Sequence, residues 1–227
     1  MEISEQSFKE IFLAEVGEWV PERADLLAHH AWRVAEQNKV MNLTRISDPK
    51  GMAIRHALDS LSALPILSGT DEVGVQRVLD LGTGPGYPGL ALAIAMPELE
   101  MVLLDSRQKK VKFLEELVAD LGLSQQVRCV WSRFEDWIRP ERKSINMVLA
   151  RAVGRLPRLL EWTTNNYFGP LLLWKGPAFD QELIEAKSIM EQRKLSVVLD
   201  LPYELPEDDV KRRLALIDWK VEHEEQE

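Results

Sequence analysis

The chain has 227 residues, 45% hydrophobic and 29% charged, with a net charge of -9 and a pI near 5.1. That length buries a sizeable core. The acidic balance argues against a general nucleic-acid coat protein but leaves a local basic face open, and a single cysteine, Cys129, excludes an internal disulfide or a cysteine-built zinc site.

The N-terminus, MEISEQSFKE, lacks the basic flank and apolar stretch of a secretory signal. Phe8, Ile11, Phe12 and Val16 recur at helical spacing. Pro21 suits the start of a second helix, with Leu26, Leu27, Ala31, Val34 and Ala35 on one side. Within it, His29 and His30 read as surface residues. Asp48-Pro49 reads as N-cap and first residue of a third helix, ending near Leu64 before Pro65.

From Gln76 short β-rich runs alternate with amphipathic helices. The expected strands are 77–81, 101–105, 127–131, 145–150 and 170–175, with helices at 88–96, 107–121, 155–165 and 179–192. Such alternation implies right-handed crossovers and a parallel sheet covered on both faces. The runs 195–201 and 212–219, joined by a short Pro-rich link, read as an antiparallel hairpin. The tail VEHEEQE reads as a frayed acidic end. No linker or repeat divides the chain, so one domain is expected: a helical extension over 1–70, a core over 76–219 and a tail over 220–227. The uncharged stretch from Leu81 to Pro97 holds four glycines and three prolines, which excludes a membrane span.

The most telling segment runs from Asp80 through Gly82, Thr83, Gly84, Pro85, Gly86, Tyr87 and Pro88 to Gly89, after the first strand and before a helix. Glycines there let the backbone turn tightly and approach a ligand closely. No Lys-Ser/Thr follows, so it is not a Walker loop. Asp105 ends the second strand 19 residues after Gly86, where an acid can hold both hydroxyls of a ribose. Phe134-Glu135 follows the third strand, where an apolar side chain and an acceptor can flank an adenine. Together these residues describe an adenosine pocket. Arg151 ends the fourth strand at the ligand side; its planar fork suits a cofactor carboxylate or a guanine O6 edge, the bland alternative being an ion pair with Glu135.

His56 lies beside Arg55, with Asp59 three residues on, and reads as structural or substrate-positioning. Three basic groups are expected near strand C-terminal ends: Arg107, Lys109, Lys110 and Lys112; Arg133, Arg139, Arg142 and Lys143; and Arg151, Arg155 and Arg158. They suggest a basic rim that would give salt-dependent RNA binding. Ordinary solvated helix faces are the alternative. Lys175 suits an RNA phosphate or a cap on the sheet. The seven tryptophans read as core, with Trp174 a candidate for base stacking. No His/Cys/Asp/Glu set has zinc spacing, so no metal is expected.

The blocks Asn42-Leu43-Thr44, Arg55 to Ser60, Asp80 to Gly89, Leu104-Asp105-Ser106 with Lys109-Lys110, Ser132 to Glu135, Ala150-Arg151-Ala152 and Trp174-Lys175-Gly176 resemble those of the RsmG, or glucose-inhibited-division-B, family. These are bacterial methyltransferases acting on a guanine N7 of 16S ribosomal RNA. The resemblance implies a class I S-adenosylmethionine-dependent methyltransferase: a Rossmann-like, seven-stranded, mostly parallel sheet with helices on both faces, plus an N-terminal helical extension. It implies cofactor contacts from Asp80, Gly82, Gly84, Gly86, Tyr87, Asp105, Phe134, Glu135 and Arg151, with Arg151 at the methyl-transfer side. It extends to RNA contacts from Asn42, Arg55, His56, Lys109, Arg133 and Lys175. It also implies a small-subunit RNA or subunit partner and a cytoplasmic location; a monomer is expected. The chain departs from the family pattern at Met41, Tyr87, Ala150 and Trp174. A small-molecule or protein methyltransferase, a non-catalytic cofactor-binding module and a nicotinamide dehydrogenase are the competing readings.

Overall fold

A computed structural model describes residues 3–69, 77–167 and 169–219. Its sheet has seven strands: β1 (Arg77–Leu81), β2 (Glu100–Asp105), β3 (Val127–Trp131), β4 (Met147–Arg151), β5 (Leu171–Lys175), β6 (Leu195–Leu205) and β7 (Asp208–Trp219). They lie in the order β3-β2-β1-β4-β5-β7-β6. The first five are parallel, and β7 runs antiparallel to both β5 and β6. Strand order reverses between β1 and β4, which opens a crevice at their C-terminal ends.

Side-chain alternation divides the core into two layers. Val78, Met101, Leu103, Met147 and Leu149 face one side, and Leu79, Leu81, Val102, Leu104 and Val148 face the other. The first side is covered by α1 (Glu5–Val16), α2 (Ala24–Met41), α3 (Pro49–Met52), α4 (Asp59–Leu61), α5 (Leu64–Ser68), α6 (Gly89–Ala95) and α7 (Gln108–Asp120). The second is covered by α8 (Phe134–Glu141), α9 (Leu156–Thr163) and α10 (Phe179–Gln192). Phe8, Phe12 and Val16 of α1 share the first core with the sheet, so the N-terminal helices are built into it. No helix among the described residues is long and apolar enough to cross a membrane.

Several boundaries differ from the sequence reading. α2 starts at Ala24 rather than at Pro21, and His30 is buried while Ile11 is exposed. The Asp48-Pro49 start holds, the Asp48 carboxylate accepting from Gly51 N–H at 2.7 Å. The helix then widens into a π-helical turn over Ala53–Leu58, and Pro65 opens α5 instead of closing the run. The α8 helix falls where only a loop was expected. β6 and β7 continue to a tight turn at Pro206-Glu207, with Glu207 at φ 53°. Gln76 and the acidic tail lie outside the described residues. Trp19 and Trp131 are not core residues: they are 52% and 57% exposed.

Candidate active site

The glycine loop leaves β1 through Gly82, Gly84 and Gly86, all at positive φ (70°, 58° and 96°). At Gly86 a Cβ would also meet His30 Nε2 and Leu90 Cβ at 3.0 Å. Gly89 serves a different need. It brings α6 so close to β1 and β2 that a Cβ would stand 2.6 Å from Asp80 Cβ and from Leu103 Cδ2.

A 420 Å³ cleft opens beside this loop, at the C-terminal ends of β1, β2 and β3. Gly82, Asp105, Phe134 and Glu135, expected at the adenosine, and Arg133, expected at the RNA, all line it. The Asp105 carboxylate, at the end of β2, accepts from Arg107 N–H at 2.9 Å and Gly84 N–H at 3.2 Å. Those bonds fix its orientation and leave acceptor capacity for a ribose. Asp80, Gly84 and Gly86 do not line the cleft, and Asp80 is fully buried. One oxygen accepts from Gly89 N–H at 2.8 Å, and Oδ1 has no partner among the described residues. Burial pushes this carboxyl up to about 6. A buried acid with an unpaired oxygen suits a cationic donor. The cleft, the strand-end acid and this orphaned oxygen together fit an adenosine carrying an amino-acid end.

Tyr87 does not line the cleft. Its ring is sandwiched between His30 (centroids 4.3 Å apart) and His56 (4.9 Å). His30 Nε2 bonds the Pro85 carbonyl at 2.8 Å, and burial lowers its pKa to about 4. The stack thus supports the glycine loop from behind; the sequence signal was His30 on the apolar face of α2.

Arg151 also stands outside the cleft, at the end of β4. Its Nη1 meets Asp59 Oδ2 at 2.6 Å, and Nη2 meets His56 Nδ1 at 3.0 Å. Its ion pair is therefore with Asp59, not Glu135. Because Arg151 only donates, His56 Nδ1 accepts and Nε2–H donates to Thr44 Oγ1 at 2.8 Å. Burial, followed by the Arg151 charge, lowers the His56 pKa to about 3 and keeps the ring neutral. Asp59, which the sequence reading gave no site role, is the hub. It also accepts from Tyr203 Oη at 2.6 Å, pairs with Arg212 Nε at 3.3 Å and offers its carbonyl to Trp174 Nε1 at 2.7 Å. Trp174 is thus buried and bonded, not presented for base stacking.

The other candidates divide. Arg107, Lys110, Arg133 and Arg158 reach the cleft mouth, and Lys109 is exposed beside it. Arg142 and Lys143 precede β4 and border a separate hollow with Ile145, Tyr167 and Gly169, so these two do not join the rim. Arg155 is taken by Glu185. Lys175 closes a buried ion pair with Glu182 at 2.8 Å and does not reach outward for phosphate. Asn42 is the left-handed cap of α2 at φ 50°. Arg55 is 53% exposed, near Asp208.

This sheet order, with a glycine loop after β1 and an acid at the end of β2, is that of a class I S-adenosylmethionine-dependent methyltransferase. Solved structures agree at the level of fold: the mitomycin 7-O-methyltransferase MmcR (TM-score 0.56, 16% identity, 96% of this chain and 74% of that one) and the B. subtilis tRNA methyltransferase TrmK (TM-score 0.52, 12% identity, 68% and 65%). The family model described as rRNA small subunit methyltransferase G matches residues 23–201. Proteins named ribosomal RNA small subunit methyltransferase G are 38% identical in Solibacter usitatus, over 79% of this chain and 83% of that one, and 38% identical in Symbiobacterium thermophilum, over 90% and 86%. The chain belongs to the rRNA small subunit methyltransferase G family.

Proposed function

We propose that this chain methylates N7 of a guanine in small-subunit (16S) ribosomal RNA, with S-adenosylmethionine held in the cleft beside the glycine loop. The observation that carries the reading is the convergence of Gly82, Asp105, Phe134 and Glu135 on one cleft whose mouth is cationic, in a chain of this family. Asp105 takes the ribose hydroxyls, Phe134 and Glu135 flank the adenine, and Asp80 Oδ1 accepts from the amino-acid end. Gly84 and Gly86 shape the loop, while Tyr87 supports it rather than touching the cofactor. When bound, S-adenosylmethionine supplies a methyl group on a positively charged sulfur.

Guanine N7 carries a free lone pair, so the chain has only to align the reactants and exclude water. No base is required. His56 could not readily serve as one, since both its nitrogens are engaged and its ring resists protonation. Arg151, fixed by Asp59 and His56, is the positioning cation beside the guanine. Lys109 and Arg133 hold RNA phosphate, with Asn42 and Arg55 at the margin of that face.

Labelled methyl transfer to small-subunit RNA and to small subunits from a strain lacking this protein tests the reading. Labelled 7-methylguanosine, lost in Asp105→Ala, supports it. Cofactor binding without transfer to either substrate rejects the RNA assignment.

A further inference from the structure

Trp131 is the largest exposed apolar side chain near the cleft. It ends the edge strand β3, opposite Asp105 in the β2–β3 register, and is 57% exposed. It does not swing freely, because Nε1–H donates to the Ser106 carbonyl at 3.1 Å. A held, solvent-facing indole lowers the ordering cost of whatever stacks on it.

Its surroundings identify the occupant. Arg107, Lys109, Lys110 and Arg133 stand on the segments that follow β2 and β3, and none of them forms an ion pair among the described residues. Elsewhere Arg77, Arg128, Arg155, Arg212 and Arg213 each sit on a carboxylate. In a chain of net charge -9, these four unpaired cations fall within five residues of the ends of β2 and β3, the end of the sheet at which Trp131 stands. Aromatic faces interleaved with free cations bind single-stranded nucleic acid: bases stack and the cations track phosphates.

We propose that Trp131 is a stacking platform for an unpaired RNA nucleotide outside the cofactor cleft, with Lys109 and its neighbours holding the adjoining phosphates. This rests on the ribosomal RNA reading above and deepens it: the protein would grip a single-stranded stretch of its substrate beside the adenosine end of its site. An exposed Trp is otherwise a liability on an edge strand.

The test is binding of undermodified small-subunit RNA, and separately of S-adenosylhomocysteine, to the full chain. Trp131→Ala is expected to weaken RNA binding about tenfold, the scale of one lost base stack. Trp131→Phe should stay within about twofold, and cofactor affinity should not change. The salt dependence of Trp131→Ala should match the wild type, because no phosphate contact is removed. Lys109→Ala should lower the slope of log affinity against log salt by about 0.7. Unchanged RNA affinity in Trp131→Ala, or loss confined to the cofactor, overturns the platform and leaves the RNA assignment standing. Failure of the wild type to bind the RNA overturns both.

Discussion

Removing Asp59 tests the network around Arg151 most directly. The Asp59 and Arg151 side chains are only 9% and 13% exposed, and their 2.6 Å contact is the shortest ion pair Arg151 makes. Breaking such a pair from one side costs about 3–5 kcal/mol, because the other charge stays buried without compensation. Arg212 suffers less, since it keeps Asp208 at 2.9 Å. Tyr203 loses its acceptor at 2.6 Å, adding about 1 kcal/mol or more. Asp59→Ala should therefore lose roughly 4–6 kcal/mol and about 10–20 °C in Tm. Asp59→Asn keeps the shape and one acceptor oxygen but turns the other acceptor into a donor, and should lose about half as much. Urea unfolding of Asp59→Asn, Arg151→Met and the double variant gives the coupling directly, and about 2 kcal/mol is expected. Methyl transfer by the folded single variants should fall steeply. A coupling under about 0.5 kcal/mol would refute the claim that Asp59 fixes Arg151.

Asp105→Asn removes a charged acceptor for the ribose, and titration calorimetry with S-adenosylhomocysteine should show about a 10- to 100-fold weaker Kd. Asp80, raised to about 6, is partly protonated near that pH; pairing with the cofactor's ammonium would hold it ionised. Binding near pH 6 should therefore release a proton, visible as a heat that varies with buffer ionisation enthalpy and vanishes in Asp80→Asn. His30 shifts the opposite way for folding. Its pKa falls from 6.5 to about 4, so its share of stability is complete above pH 6.5 and drains away as pH falls toward 4. Relative to His30→Gln, the wild type should lose about 3 kcal/mol across that window, and equal pH profiles would show that the ring is not buried as a neutral group. Gly89→Ala should unfold or severely destabilise the protein, since its Cβ collides with Asp80 and Leu103 at 2.6 Å; thermal melting decides this.

The parts of this protein that are local in sequence were legible, and those made by distant contacts were not. Strands β1, β2 and β3 and the helices between them follow from period and turn residues, and Asp105 follows from its place at a strand end. Tyr87 follows Gly86 yet stands outside the cleft, because adjacency along the chain does not fix where a side chain points. In space, two histidines 57 and 31 positions away claim its ring. Asp59 escaped for the same reason. Its partners Arg151, Tyr203 and Arg212 lie 92 or more positions downstream, and no periodicity encodes them. The α8 helix is short and carries Pro140 inside it, so its sequence does not read as helical. Arg142 and Lys143 were misplaced because that unseen helix carries the chain back to the start of β4 before they occur.

The distribution of ion pairs also resolves how so acidic a chain handles a polyanion. Net charge sets solubility and long-range repulsion, which falls off beyond about 8 Å at physiological salt. Binding depends on cations that no carboxylate has already neutralised. Carboxylates on the hairpin, on α10 and on the first helix pair Arg212, Arg213, Arg155, Lys175 and Lys9, and others on α7 and α8 pair Arg33, Arg77 and Arg128. Among the described residues, Arg107, Lys109, Lys110 and Arg133 stand unpaired at or beside the cleft, which Asp105 and Glu135 also line. Which cations stand unpaired beside the cleft is a property of the fold that a sum over the composition cannot show.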